Sequence, residues 1–332
     1  MVAGAGLDAA TIDRWRELQH CNPTLASPCF SPEFAQAVSV ARSDAEVGVV
    51  RKRAEIVALF PYQRSGGGHA IPLGGIVSDY QGVVCEPEFE CDARELLEGC
   101  RLIAWDFDRL LASQTFFAPF HKLCEPSALI DVRGGYKAYA QKLLVNGSKQ
   151  LVRCRNLMRR LERKVGPLRF VCHSSDRRAL TKILRWKSHQ YKRSGWRDLF
   201  ATKWGRVLIE RIHSTQTDDF AGMLSLLFAG DRLVAGHIEM RSRSVWHYWF
   251  PAYNTDFARF SPGIILLLKM IEHAPGLGLQ TIDLGTGQSL YKQRLSNASI
   301  QVAEGSVERP SWLWLAREAR RRLRPLAFWR HR

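Results

Sequence analysis

The chain has 332 residues, of which 46% are hydrophobic and 10% aromatic, which is enough material for about two folded domains. This composition excludes a disordered chain, and no apolar run in the sequence reaches the roughly 18 residues that a membrane-spanning helix needs. The formal net charge of +16 predicts an anionic partner (nucleic acid, anionic lipid or a phosphorylated ligand) without choosing among them.

The N-terminal residues and the cysteines both indicate a cytoplasmic protein. The opening stretch, MVAGAGLDAATIDRW, lacks the basic and apolar segments of a secretory signal. None of the eight cysteines is part of a C-x-x-C pair, so their spacing does not fit a zinc site. We therefore expect free thiols and no bound metal.

The two halves of the chain repeat one order of predicted elements. In the first half, strands over VGVV, IVALFPY and HAIPLGG precede a helix near residues 92–100 and the strand LIAWDFDRL. In the second half, strands over MLSLLF, LVAGHIEM and VWHYWF precede a helix from Ser261 and the strand QTIDLG. The last strand of each half carries an aspartate after an apolar residue, Asp106 and Asp283. This repeat predicts a mixed α/β (α+β) fold of two tandem units, each a mostly antiparallel sheet flanked by helices.

A strongly basic segment, KQLVRCRNLMRRLERKVG, lies between the halves. Its apolar residues recur at helical spacing with arginine and lysine between them, and Gly166-Pro167 predicts its end. Its cations fit either a solvated helix face or a nucleic-acid patch. The predicted limits are 1–148 for the first unit, 149–166 for a connecting helix, 167–308 for the second unit and 309–332 for a basic tail.

Two further helices are predicted ahead of the second set of strands. The first spans SSDRRALTKILRWKSHQYKRSG, with Ser174 or Ser175 as its cap and Gly195 at its end. The second spans WGRVLIERIHS. The second unit is therefore expected to run helix, helix, antiparallel strands, helix and strand.

The tail from Arg309 to Arg332 has an amphipathic pattern of its own. Trp312 and several leucines and alanines fall near one face of a short helix, and arginines occupy most of the remainder. Tryptophan and arginine suit the headgroup zone of an anionic membrane. Such a helix either rests on the cytoplasmic face of the membrane or packs on the protein itself with its arginines solvated.

Ser261, Pro262 and Gly263 begin an apolar helix directly after a polar loop. Small residues at a helix start leave backbone N–H groups free, and the helix dipole places partial positive charge behind them. The pattern therefore predicts a phosphate site, with an ordinary helix start as the alternative.

Three stretches of the second half resemble the GNAT acyltransferase superfamily. They are LVAGHIEM (233–240), WHYWFPAYNTDFARFSPGIILL (246–267) and TIDLGTGQSLYKQRLSN (281–297). The likeness is closer to the duplicated branch, which includes CelD-type polysaccharide-biosynthesis proteins and the FemAB/FemX aminoacyl transferases. It covers most of residues 175–307 and, more faintly, SDYQG (78–82). The chain departs from the family at the pyrophosphate loop, Q/R-x-x-G-x-G/A, where DFARFSPG keeps only Arg259 and Gly263.

The resemblance implies a donor and a place for it. The donor would be acetyl-CoA or another acyl-CoA, with its pantetheine arm on backbone groups of two splayed strands and its phosphates at the helix start. The residues implied for donor binding are Arg259, Ser261, Pro262, Gly263 and Ile264. The resemblance also places Tyr291 where a proton donor meets the leaving thiolate.

Acyl transfer to an amine requires a base for the incoming amine and an acid for the leaving group. His237 and Glu239 alternate onto one face of the strand 233–240, so either is a candidate base, directly or through a water. Asp283 could orient an amine or a sugar hydroxyl. Tyr253, Asn254 and Lys292 are candidate contacts for either substrate. The structural alternatives are a core histidine, a packing tyrosine, a loop-capping aspartate and a solvated lysine.

Three functions remain open at this level. The first is an N-acyltransferase that moves an acyl group from acyl-CoA to an amine, such as an amino sugar in polysaccharide biosynthesis. The second is an aminoacyl-tRNA-dependent transferase, as the FemX resemblance implies, which the basic charge favours. The third is a non-catalytic basic scaffold for RNA or a membrane, which the degenerate phosphate loop favours. The glycine-rich DLGTG (283–287) also matches a methyltransferase loop, but only 45 residues follow it, too few for the later strands of that fold.

Overall fold

The structure, a computed structural model, describes residues 2, 3, 6–287 and 289–309. It divides into two compact units. Of the described residues, the first comprises those up to Leu25, Cys29–Glu125 and Gln301–Arg309, and the second comprises those in Ala26–Pro28 and Pro126–Ile300. The predicted amphipathic tail, apart from Arg309, lies outside the described residues.

The first unit begins with helices and continues with hairpins. Its elements are β1 (Val2–Ala3), α1 (Ala9–Cys21), α2 (Pro32–Ala41), β2 (Ala45–Lys52), β3 (Glu55–Gly66), β4 (His69–Pro72), β5 (Val84–Cys85), α3 (Ala93–Gly99) and β6 (Ala104–Leu111). Asp8 and Asp92 cap α1 and α3 by accepting hydrogen bonds from backbone N–H groups. The sequence prediction did not include α1 and α2, so the repeat between the halves extends to a pair of helices ahead of the strands.

The chain then passes from the first unit into the second within one strand. The further elements are β7 (His121–Asp131), α4 (Gly135–Val145), α5 (Gln150–Val165), β8 (Leu168–Val171), α6 (Arg177–Arg193), α7 (Lys203–Ser214), β9 (Ala221–Ala229), β10 (Arg232–Arg241), β11 (Val245–Tyr253), α8 (Pro262–His273), β12 (Thr281–Gly285), α9 (Leu290–Leu295) and β13 (Ala298–Glu308). The predicted basic helix is confirmed as α5.

The predicted serine cap of α6 is wrong. Asp176 is the cap, and its carboxylate accepts hydrogen bonds from the backbone N–H groups of Arg178 and Ala179. Ser174 instead accepts a hydrogen bond from the backbone N–H of Asp176. The carboxylate directly precedes the first turn, where its charge also complements the helix dipole.

Each unit has a mixed, mostly antiparallel sheet, which confirms the predicted fold class. The strand order is β1-β2-β3-β4-β6-β13 in the first unit, with β5 on β3, and β7-β12-β11-β10-β9-β8 in the second. The parallel pairs are β4 with β6 and β11 with β12.

The unit limits differ from those expected from the sequence because strands are exchanged between the halves. The segment 302–308 of β13 pairs with β6 in the first unit, and the segment 128–131 of β7 pairs with β12 in the second. Residues 126–166, including α5, also belong to the second unit. Strand pairing joins residues far apart in sequence, so the local pattern of the chain does not reveal it.

Helices cover both faces of the second sheet. A buried apolar cluster joins α8 to α4, α5 and the side chains of β11 and β12, with Leu267, Ile271, Trp246 and Ile282 among its members. α6 packs on β10 and β11. The approach is close at Gly236, where an added Cβ would lie 2.3 Å from Cδ1 of Ile183 in α6. The strands between these two helical layers carry the candidate site.

Candidate active site

β11 runs past the end of its pairing with β12. The parallel pairing joins residues 245–247 to 281–283, whereas β11 continues to Tyr253 and β12 ends at Gly285. A strand that extends beyond its neighbour can offer backbone N–H and C=O groups to another polar chain. This fork between β11 and β12 has the splayed form that the resemblance implies for binding a donor arm.

A bulge in β11 lies close to the fork. The pairing of β10 with β11 moves from Ile238–Phe250 to Met240–His247, so β11 has two residues opposite Glu239. A bulge of this kind bends the strand and re-aims its side chains, and bulges are common beside active sites.

His237 and Glu239 lie together on one face of β10, as the strand alternation predicted. Both side chains are fully buried, and His237 Nδ1 lies 2.9 Å from Glu239 Oε1. The ring does not direct an N–H at that oxygen, so the contact is an electrostatic one rather than a well-formed hydrogen bond. The other carboxylate oxygen, Oε2, accepts a hydrogen bond from Nε1 of Trp246. The carboxylate is thus held in place beside the imidazole.

The imidazole is available to accept a proton. Burial lowers the pKa of His237, because the buried imidazolium loses its hydration, and Glu239 opposes that shift. In the described chain, Nε2 of His237 and Oγ of Ser225, opposite it on β9, have no hydrogen-bond partner. Buried polar atoms are rarely left unpaired, so a water or a substrate group would complete the bonding here.

Two tyrosines continue from the imidazole toward α9. The ring centroid of Tyr248 lies 4.0 Å from that of His237 and 6.4 Å from that of Tyr291. Burial raises the pKa of Tyr291 to about 12, which keeps its hydroxyl protonated at neutral pH. Tyr291 therefore has the protonation state that a proton donor needs.

Asp283 forms a different pair at the fork. It lies opposite His247 in register, with its Oδ2 3.2 Å from Nδ1 of that histidine. Its Oδ1 accepts a hydrogen bond of 2.8 Å from the backbone N–H of Gly285. Asp283 therefore supports the end of β12 as well as contacting a buried imidazole.

Lys187 of α6 is a buried cation that the sequence analysis did not single out. Its side chain is 7% exposed, and its Nζ donates a hydrogen bond of 3.1 Å to the carbonyl of Pro251 in β11. Burial lowers its pKa to about 8. The sequence contained a sign of this burial, because Lys187 falls on the same face of the helix as the apolar residues Leu180 and Ile183.

The replacement Lys187→Met is expected to stabilise the fold at neutral pH, because the native state then no longer buries an ammonium. Between pH 8 and the ordinary pKa of 10.5, the unfolded chain binds more protons than the native chain, so wild-type stability rises with pH. The advantage of the variant should therefore shrink across that window in urea unfolding series. Lys182 is an exposed lysine of the same helix and serves as the control. If Lys182→Met showed the same stability gain and the same decline of that gain with pH, the effect could not be attributed to burial of Lys187.

Cations gather at the start of α8. Ser261 adopts a left-handed conformation with φ 51° and begins the helix without a side-chain cap. A cavity of about 420 Å³ at this point is lined by Ser261 and Arg259 and, from the other side, by residues of α5. The cations that line it on that side are Lys149, which directly precedes α5, and Arg153 and Arg160 of α5. Sequence reasoning identified the helix start but missed these partners, which lie about 100 residues earlier in the chain.

The remaining predicted contacts have different surroundings. Tyr253 is 40% exposed and stands beside Gly263, where an added Cβ would lie 3.7 Å from its Cδ1. Asn254 caps the short 3₁₀ helix that precedes α8, accepting a hydrogen bond from the backbone N–H of Asp256. Lys292 donates hydrogen bonds to the carbonyls of Gly285 and Thr286 and so closes the loop after β12.

Pro262 and Ile264 complete the set implied for donor binding. Pro262 is buried as the first residue of α8, and Ile264 is partly buried against the apolar cluster around that helix. Their side chains therefore pack inward, and any donor contact at this point would come from the helix backbone.

Residues 148–293 match the family model for an acetyltransferase (GNAT) domain. The match covers less than half of the chain and identifies a GNAT-type domain within the second unit. The match covers the site described above, from the first turn of α5 to α9. No curated protein matches the sequence.

Solved structures show the same fold over nearly the whole chain. FemX aligns with a TM-score of 0.61 at 12% identity, covering 93% of this chain and 98% of that one. A DUF2156 domain from Agrobacterium fabrum aligns with a TM-score of 0.58 at 14% identity, covering 95% and 96%. A tandem GNAT protein from the clavulanic acid biosynthesis pathway aligns at 0.53 and 11% identity, covering 92% and 97%. These similarities show that this chain shares its fold with FemX and with a tandem GNAT protein.

None of the helices in the described ranges is both long and apolar enough to cross a bilayer.

Proposed function

We propose that this protein is an N-acyltransferase that moves an acyl group from acyl-CoA to an amine, with an amino sugar of polysaccharide biosynthesis as acceptor. The observation that carries the proposal is the fully buried pair His237–Glu239, whose imidazole has an unpartnered Nε2 in the described chain. A base of this kind beside a fork of two strands is what amine acylation requires.

In this proposal the pair acts at the acceptor and Tyr291 acts at the donor. The amine gives up a proton to the His237–Glu239 pair, directly or through a water, and attacks the thioester carbon. The C–S bond of the resulting tetrahedral adduct then breaks, and the thiolate takes a proton from the hydroxyl of Tyr291. Burial of that hydroxyl keeps it protonated until the thiolate forms.

The donor would lie between the fork and the start of α8. The part of β11 beyond its pairing with β12 offers backbone groups to the amide arm of pantetheine. The start of α8 offers the helix dipole to the diphosphate, and Arg153, Arg160 and Arg259 line the same cavity. The positive charge of these arginines would bind the diphosphate in place of the glycine-rich pyrophosphate loop, of which the chain keeps only Arg259 and Gly263.

The replacement Gly263→Asp tests the donor site. An added Cβ at Gly263 meets only Cδ1 of Tyr253, at an ordinary contact distance of 3.7 Å, so the backbone there accepts a side chain. A carboxylate at the helix start would repel the diphosphate, and we expect CoA affinity to fall about tenfold or more by calorimetry.

Gly263→Ala is the matched control, because it adds the same Cβ without charge and should keep CoA affinity near that of the wild type. If the aspartate and alanine variants bind CoA with equal affinity, the diphosphate does not bind at this end of α8.

A second candidate function is transfer from aminoacyl-tRNA. It is favoured by a further cavity along α5, of about 730 Å³, which is lined by Arg159, Arg160 and Arg163. A row of arginines on one helix is suited to a nucleic-acid backbone. Product formation from aminoacyl-tRNA, with none from any acyl-CoA, would select this function over the first.

A further inference from the structure

A basic groove runs along α6 and is lined by other residues than the cavity at the start of α8. It encloses about 1020 Å³ and is lined by residues of α6 together with Tyr253 and Thr255. Its cations are Arg177, Arg178, Lys182, Arg185 and Arg193. The described lining contains no carboxylate.

The cations of this groove are arranged unfavourably for the helix that carries them. Arg178 and Lys182 are four residues apart, a spacing at which like charges destabilise a helix. Within the described chain, the five cations of the groove form no ion pair with a carboxylate, whereas Lys192 lies 3.8 Å from Asp198. A bound polyanion would relieve this repulsion.

The groove also has aromatic walls and ends near the fork. Trp186 and Tyr253 line it, and Lys182 Nζ lies 5.4 Å from the centre of the Trp186 ring. The next residue of α6, Lys187, is hydrogen-bonded to the carbonyl of Pro251 in β11. The groove therefore lies beside the strand that borders the candidate active site.

We propose that the α6 groove binds the diphosphate group of the acceptor, so that the acceptor is a sugar diphosphate. This inference rests on the proposed acyltransferase function. The groove and the cavity at the start of α8 share no lining residue, so two phosphate-bearing substrates can be bound at once. Direct transfer between a CoA thioester and a phosphorylated amine requires that arrangement.

Calorimetry on the full chain tests the groove with UDP and with inorganic pyrophosphate, each measured with and without saturating CoA. Both probes should bind, and CoA should leave their affinities unchanged. The double replacement Arg178→Glu/Arg185→Glu should weaken both by about tenfold or more, since charge-assisted contacts to phosphate are lost. Arg155→Glu is the matched control, because Arg155 is an exposed arginine of α5 and lines none of the cavities described above.

Trp186→Ala separates two sources of the diphosphate. For a nucleotide-linked acceptor, UDP should lose affinity while pyrophosphate does not, because only UDP carries a base that can stack on the indole. For a lipid-linked acceptor, the variant should bind both probes as the wild type does, and geranyl diphosphate should bind at least as tightly as UDP.

Three results would overturn the proposal. The first is that the double variant and Arg155→Glu bind the probes with equal affinity. The second is that CoA abolishes binding of the probes. The third is that an RNA with the sequence of a tRNA acceptor stem binds the wild type more tightly than UDP and pyrophosphate do, and that the double variant does not bind this RNA. Probe binding that survives while CoA fails to bind would instead refute the proposed donor and leave the groove assignment in place.

Discussion

The replacement Glu239→Gln is expected to lower turnover of acetyl-CoA by about 10²–10⁴-fold, the usual loss when a positioned proton-transfer group is removed. Glutamine keeps the size of the side chain and can still accept the hydrogen bond from Trp246. It cannot hold a proton or stabilise the imidazolium of His237. The assay follows free CoA thiol with the amino-sugar acceptor that reacts fastest, and calorimetry should give unchanged CoA affinity.

Two further replacements complete this test. His237→Ala removes the imidazole, and Tyr291→Phe removes the hydroxyl but keeps the ring; both should also lower turnover with donor binding retained. Glu272→Gln makes the same chemical change on α8, at a carboxylate that pairs with Lys269, and should leave turnover unchanged. Near-normal turnover in all three site variants would show that the proton is transferred elsewhere.

Gly222→Ala is expected to destabilise the second unit by about 3 kcal/mol. Gly222 lies in β9 against the end of α7, and its N–H donates a hydrogen bond of 3.1 Å to the carbonyl of Thr215. An added Cβ would lie 2.0 Å from the backbone oxygen of Ile212. A backbone oxygen cannot move away by rotation about a side-chain bond, so α7 and β9 would have to move apart. Urea unfolding followed by circular dichroism measures the loss.

Gly276→Ala provides the control for that measurement, because an added Cβ at Gly276 meets no atom within 4 Å. If the two alanine variants unfold at the same urea concentration, close packing of α7 on β9 is not a source of stability.

The proposed donor site could be recognised only in part from the sequence. The start of α8 was recognisable, because Ser261, Pro262 and Gly263 follow a loop and precede an apolar helix. Its arginine partners on α5 were not, because the sequence gives the spacing of cations along a helix but not the surface that the helix faces. The sequence therefore did not decide whether the cations of α5 face solvent or form a nucleic-acid patch. In the structure, Arg153 and Arg160 line the same cavity as Arg259, so this part of the α5 surface faces the start of α8.

The residues proposed for proton transfer could also be recognised only in part from the sequence. Strand alternation placed His237 and Glu239 on one face, and the structure brings them to 2.9 Å. The same alternation in VWHYWF places Trp246 and Tyr248 on one face, but only the pairing of β11 with β10 brings them to that pair. Asp283 was a candidate from the sequence for orienting an amine or a sugar hydroxyl, and its contact with His247 depends on the register of β11 against β12.

The sequence by itself determined the order of the strands and helices in the second half, the repeat of that order in the first half and the basic helix α5. These features depend on periods of two or 3.6 residues, which are local. The tertiary structure alone decided the exchange of β7 and β13, the burial of Lys187 against Pro251 and the gathering of arginines at the start of α8. Each of these joins residues distant in sequence, and such contacts are fixed by which surfaces pack together rather than by any pattern within one segment.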